Sequence, residues 1–135
     1  MTENEIAREI VNACYQVHTG LGPGLLESVY ETVLAFELEQ RGLQVQRQAP
    51  IPIVWKDQQF AEGFRADLIV EGKVIIELKS VEKMARVHPK QLLTYLRLTD
   101  CRLGLLVNFG EMLMKDGIKR VVNKLPENGK YPTIK

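Results

Sequence analysis

Cysteine and histidine are nearly absent from this 135-residue chain, at two residues each. Cys14 falls on an apolar helical face and Cys101 precedes an apolar run, so both read as small core hydrophobes rather than a disulfide or a metal pair. His18 and His88 fall in no metal-ligand spacing, which argues against zinc. No apolar run is long enough to span a bilayer. The start, Met1-Thr-Glu-Asn-Glu5, is acidic and lacks an apolar stretch behind a basic end, so no secretory leader is read there. These absences together point to a reducing, cytoplasmic setting. Gly-x-Ser-x-Gly is missing, as is a Cys and His nucleophile pair. Gly20-x-Gly22-x-Gly24 follows a helix rather than a strand and lacks the Lys-Ser/Thr of a phosphate loop, so it reads as turn chemistry.

A large excess of either charge is also lacking, since the net charge is +1. That argues against a strongly basic coat for nucleic acid, but the distribution is uneven. From Met1 to Gly42 two basic residues stand against seven acidic ones. From Lys79 to Arg102 six basic residues stand against two acidic ones. Lys83, Arg86, His88 and Lys90 lie in this positive segment and are candidate phosphate contacts. A solvated loop and helix face would carry the same charges.

What remains is an ordinary globular composition, 45% hydrophobic and 26% charged, in a chain long enough for one buried core. Thr2 or Asn4 can cap a first helix with Ile6, Ile10, Ala13, Cys14 and Val17 on its inner face, stopping near Thr19. A second helix is expected from about Leu25 to Arg41, burying Leu26, Val29, Val33, Phe36 and Leu38, with Gly42 ending it. Pro50 and Pro52 make the stretch from Leu43 to Trp55 an edge or irregular strand, closed by a turn at Lys56-Asp57-Gln58. A helix from about Pro89 to Leu98 should bury Leu92, Leu93 and Leu96. Leu103 to Phe109 reads as a buried central strand, and Gly117 to Asn123 as a last strand. The order is α-α-β-β-β-α-β with one further strand, an α/β sandwich around a mixed sheet. Residues 1–123 form one domain in this reading, and 124–135 form a loosely held tail.

The stretch from Phe64 to Ser80 concentrates the chemistry. Two short apolar strands flank a turn at Glu71-Gly72-Lys73. Along the second strand Glu77 and Lys79 face one way, while Val74, Ile76 and Leu78 face the other. The turn brings Asp67 close to Glu77. Two carboxylates and an ammonium then share a polar patch at the rim of an apolar sheet. Hard divalent cations take such oxygen ligands, and a lysine beside them can orient a water or neutralise charge on a phosphate. Charged strand ends that simply face water give the same pattern.

Two further pairs stand at helical spacing. Gly24-Leu-Leu-Glu27-Ser-Val-Tyr30 sets Glu27 and Tyr30 on one helix face, with Glu27 in the first turn. Glu27 is either a helix-start acid or a further acidic group aimed at a metal. Gln91 and Tyr95 stand four apart on one helix face, where an amide and a phenol can bond phosphate or orient a catalytic group.

On these residues the chain resembles a known family. Gly24, Glu27 and Tyr30 match the signature of the small GxxExxY proteins. Asp67 with Glu77-Leu78-Lys79 resembles the core of the PD-(D/E)XK nuclease superfamily to which that family is assigned. Gln91 and Tyr95 look like the Gln-x-x-x-Tyr element of its RecB-like exonuclease branch. Ala66 stands where the superfamily's name has proline. The resemblance implies a restriction-endonuclease-like α-β-β-β-α-β sandwich with a central mixed sheet. It implies Mg²⁺- or Mn²⁺-dependent hydrolysis of phosphodiester bonds, with nucleic acid as partner and DNA ahead of RNA. Asp67, Glu77, the Leu78 carbonyl and Glu27 would hold the metal. Asp67, Glu77, Lys79, Gln91 and Tyr95 would carry the catalysis. The rival reading is a module that binds nucleic acid or protein without hydrolysis, because so short a chain needs an oligomer or a partner protein to grip a duplex.

Overall fold

The computed structural model describes residues 1–126, in the order α1 (Glu3–Leu21), α2 (Glu27–Gln40), β1 (Val45–Trp55), β2 (Gln58–Val70), β3 (Val74–Lys79), α3 (Val87–Thr99), β4 (Leu103–Asn108) and β5 (Ile118–Val122). A short 3-10 turn, Met114–Asp116, precedes β5. The sheet runs β1-β2-β3-β4-β5. All neighbours are antiparallel except β3 and β4, which are parallel and joined through α3.

Helix α1 starts where the sequence says it should. The Thr2 hydroxyl accepts from the Glu5 amide at 3.2 Å, and the Glu5 carboxylate accepts from the Thr2 amide at 2.9 Å. This reciprocal box satisfies two donors that a helix start leaves free. The helix runs two residues past Thr19, through Gly20, and ends at Gly22, whose φ of 74° suits glycine.

Helix α2 buries a different stripe from the expected one. Tyr30, Leu34, Ala35 and Leu38 are buried, whereas Leu26, Val29 and Phe36 are exposed. Apolar residues surround this helix, so periodicity does not single out one face. Leu93 is likewise only partly buried on α3, behind Leu92 and Leu96.

Two apolar layers sandwich the sheet. Val74, Ile76, Leu78, Leu103, Leu105 and Val107 pack with α1 and α2. Ile75 and Leu106 face the other way and pack with Leu92 and Leu96 of α3. Cys14 is in the first layer, where burial pushes its thiol up to about 12, and Cys101 is in the second. Both are free thiols.

Strand β1 is the edge strand that its prolines require. It and β2 pair from Val45↔Val70 out to Trp55↔Gln58. The closing turn is Lys56-Asp57, both at positive φ, the backbone of a tight two-residue hairpin. Strand β3 supports only Leu68–Val70 of this long ribbon. The outer part, beyond Ile51 and Phe64, therefore projects as a two-stranded arm. The tail expected from residue 124 begins tied down: Leu125 packs on the core and Arg102 donates to the Lys124 carbonyl. Residues 127–135 lie outside the described residues. No helix among the described residues is long and apolar enough to cross a membrane.

Candidate active site

The site forms where β2 leaves β3. Their ladder pairs Val70 with Val74 and Leu68 with Ile76, and then stops. Asp67 and Glu77 are the next residues on each strand, level with one another. Here β2 turns over. Leu68 packs toward α1 and α2, yet Ala66, two residues away, packs toward α3. A regular strand would keep both on one face. The facing residue of β1, Gln48, has φ of 48°, so the ribbon twists on both strands at this level. A left-handed residue other than glycine costs about 1–2 kcal/mol. Hydrogen bonds to ionised groups contribute comparable amounts, and Gln48 makes them. Its amide donates to the Glu31 carboxylate and, at 3.4 Å, to Asp67. Glu31 is buried, and Arg47 donates to it at 3.1 Å.

The turned strand aims Asp67 at the open edge of β3. Its carboxylate accepts from the Leu78 amide at 2.8 Å, in place of the next ladder bond. In a strand the N–H and C=O of one residue point to the same side. The Leu78 carbonyl therefore faces the same gap. Glu77 lies beside Asp67 with one carboxyl oxygen buried and without a hydrogen-bond partner. Burial first, and then the charge of Asp67, push the Glu77 carboxyl up to about 8. Lys79 lies on the same face, half-buried.

Tyr95 of α3 closes the site from above. Its ring stacks on Phe64 with centroids 3.4 Å apart. Burial, and then the charges of Glu77 and Asp67, raise its phenol, so the hydroxyl stands within their field. Gln91, one turn earlier, is exposed, as are Lys83 in the loop before α3, Arg86 at its N-cap and Lys90 in its first turn. His88 is not an exposed loop residue. It sits in the first turn of α3, partly buried, with Nδ1 3.3 Å from the Met84 sulfur. Burial and the nearby Lys79 charge lower its pKa, with Glu27 opposing them.

Glu27 begins α2, exposed, and lines a cleft of about 430 Å³ with Gly24, Ser80 and Gly110. Among the described residues no three His, Cys, Asp or Glu side chains gather as a metal cage. Tyr30 does not stand beside Glu27 on the surface. It is fully buried, stacked on Phe109 at 4.3 Å. Its hydroxyl accepts from the Leu25 amide at 3.1 Å and donates to the Gly22 carbonyl. It thus ties down the loop that carries Gly24 and leads into Glu27, where Gly24 has φ of 97°.

Other residues carry the site without any signal in their sequence spacing. Gln48 reaches Asp67, and Glu31 holds Gln48. Asn108, buried at the end of β4, accepts from the Val81 and Gly110 amides and donates to the Val81 carbonyl. It pins the chain just after Lys79. Its one visible mark is a lone amide at the end of an apolar run.

A family model described as the PD-(D/E)XK nuclease superfamily matches residues 4–121. The chain belongs to this superfamily. Neither the curated proteins nor the solved structures gave a match. The five-stranded mixed sheet between helices is the restriction-endonuclease-like fold, and membership supports a nuclease-type function on a nucleic-acid substrate. Nucleases of this superfamily typically use divalent metal ions.

The residues present fit such an ion. Two adjacent carboxylates and a main-chain carbonyl make an all-oxygen donor set. The buried, unpartnered Glu77 oxygen is costly unless a cation or a proton meets it.

Proposed function

We propose that this protein is a Mg²⁺- or Mn²⁺-dependent nuclease that hydrolyses phosphodiester bonds of DNA. The observation that carries the reading is the set of Asp67, Glu77 and Lys79 at the divergence of β2 and β3, with one Glu77 oxygen buried and unpartnered. The likeness of Gly24, Glu27 and Tyr30 to the GxxExxY signature supports Glu27 as an outer acid of the same site.

Asp67, Glu77 and the Leu78 carbonyl would hold the ion, and Glu27 would reach it through water. The cation supplies a Lewis acid for the phosphate and lowers the pKa of the attacking water. The chain's own residues do the remainder. Asp67 is held by the Leu78 amide and by Gln48, so its carboxylate is oriented before substrate arrives. Lys79 positions the water and offsets the charge that grows on the phosphate oxygens. Tyr95, locked by Phe64, and Gln91 orient the lysine or the phosphate. Lys83, Arg86 and Lys90 bind the flanking backbone, and His88 adds a hydrogen bond beside them.

The test incubates linear, nicked and closed circular DNA with Mg²⁺ or Mn²⁺, with a chelator control. Metal-dependent cleavage is expected, beginning at ends or single strands. Lys79→Ala should lower the rate by roughly 10²- to 10³-fold while calorimetry still detects the metal. Asp67→Ala should lose both. Absence of cleavage of any DNA or RNA, with metal shown to be bound, would replace this reading with the non-catalytic binding module.

A further inference from the structure

Beyond Phe64 the β1–β2 arm has no role in the chemistry above, yet it exposes the protein's one tryptophan. Trp55 is 66% exposed and Phe60 45%. They share a face, because Phe60 pairs with Ile53 and Trp55 lies two residues beyond Ile53. Strand β2 continues from Phe60 to Phe64, whose ring stacks on Tyr95, and then to Asp67.

The arm's position follows from the topology. Strand β2 is antiparallel to β3, and Asp67 is level with Glu77. Residues before Asp67 therefore extend past the Lys79 end of β3. The start of α3, with Arg86 and Lys90, rises from that same end. Strand β1 covers the span in seven steps, from Gln48 to Trp55, so at about 3.4 Å per residue the arm's turn lies about 24 Å from Asp67. The acidic and lysine site thus lies between a basic helix start and an aromatic ribbon.

We propose that the arm is a stacking platform for the bases of an unpaired nucleic-acid strand, whose phosphates run along the start of α3. This rests on the nuclease reading and names the substrate form: single strand, or the frayed end of a duplex. Charge and aromatic rings on opposite sides of one site suit a polymer that carries phosphates on one edge and π-faces on the other. A second copy of the chain suits the arm less well. Trp55 and Phe60 offer roughly 250–300 Å² of exposed ring surface between them, against the ~800 Å² per partner of a stable interface.

Because Trp55 is unique, its emission reports on the arm directly. The full chain is titrated with oligo(dT) in the presence of chelator, so that no cleavage is needed, and binding is followed separately by anisotropy of a labelled strand. The expected result is saturable quenching of Trp55 that tracks the anisotropy curve. Trp55→Ala should weaken binding roughly tenfold, and Trp55→Phe should restore most of it. Unchanged emission at saturating oligonucleotide, or wild-type affinity in Trp55→Ala, would overturn the stacking role while leaving the nuclease reading intact. So would a sedimentation result in which the wild type is a dimer and Trp55→Ala a monomer. An absence of any anisotropy change in the wild type would overturn the platform, whereas the nuclease reading stands or falls with the cleavage assay.

Discussion

Glu77 shows how one residue can be poor for stability and good for function. Its carboxyl ionises near 4.5 in an unfolded chain and near 8 here, because burial and Asp67 both oppose the charge. Between those values the folded state holds a proton that the unfolded state has lost. Stability from this group is therefore complete below about 4.5 and is lost as pH rises through 8. A cation needs the carboxylate, so its binding strengthens over the same interval and releases a proton. Metal-free protein should melt at progressively lower temperature from pH 5.5 to pH 8. Mn²⁺ at about a hundredfold its Kd should restore about 8 °C at pH 8 and far less at pH 6. Glu77→Gln should raise the metal-free melting temperature at pH 8, flatten the pH dependence and abolish the Mn²⁺ effect. Scanning calorimetry across this range checks all three, and a wild-type profile independent of pH would remove the buried-proton account.

At the scale of elements, hydrophobic period and turn residues located nearly every helix and strand. The Thr2 cap, the β1 prolines and the Glu71-Gly72-Lys73 turn act on their immediate neighbours, and such signals survive in a linear text. The Asp67, Glu77 and Lys79 set was legible for the same reason, since a short hairpin joins its members. Gln48 and Glu31 were not, because their link to Asp67 depends on how α2 crosses a twisted edge ribbon. The inner face of α2 was misread because Leu26, Val29 and Phe36 are as apolar as the residues it buries. Tyr30 is the most instructive case. Its spacing from Glu27 suggests a shared surface, but its work is to fix the loop from Gly22 to Leu25 from beneath. Tyr30→Phe keeps the stack on Phe109 and removes only the hydroxyl, leaving the Leu25 amide without that partner. The cost should be about 1–3 kcal/mol, a melting temperature lower by several degrees. If the loop positions Glu27, activity should fall further than stability explains at a temperature where the variant is fully folded. Equal activity of folded Tyr30→Phe and wild type would confine this motif to stability.

Across the whole molecule the charges nearly cancel. The seven acids from Met1 to Gly42 lie on or beside α1 and α2, with Arg8, Arg41 and Arg120 among them, while Lys83, Arg86 and Lys90 lie just before and in the first turn of α3. Such a local basic cluster orients a polyanion as it approaches. At a net charge of +1 there is little general attraction, so affinity for nucleic acid must come from this local cluster. Each phosphate contact on a single strand adds roughly 0.7 to the slope of log affinity against log salt. Replacing Lys83, Arg86 and Lys90 together by alanine should lower that slope by about two, and weaken binding most at low salt. All three side chains are exposed and outside both apolar layers, so the melting temperature should hardly move. Replacing Arg8 and Arg41, on the acidic side, should leave the slope unchanged. Arg41 bridges Glu9 and Glu37, so that control will lose some stability, and binding is compared well below its melting point. A slope unaltered by the triple substitution, or altered equally by the control, would place the strand on another face of the protein.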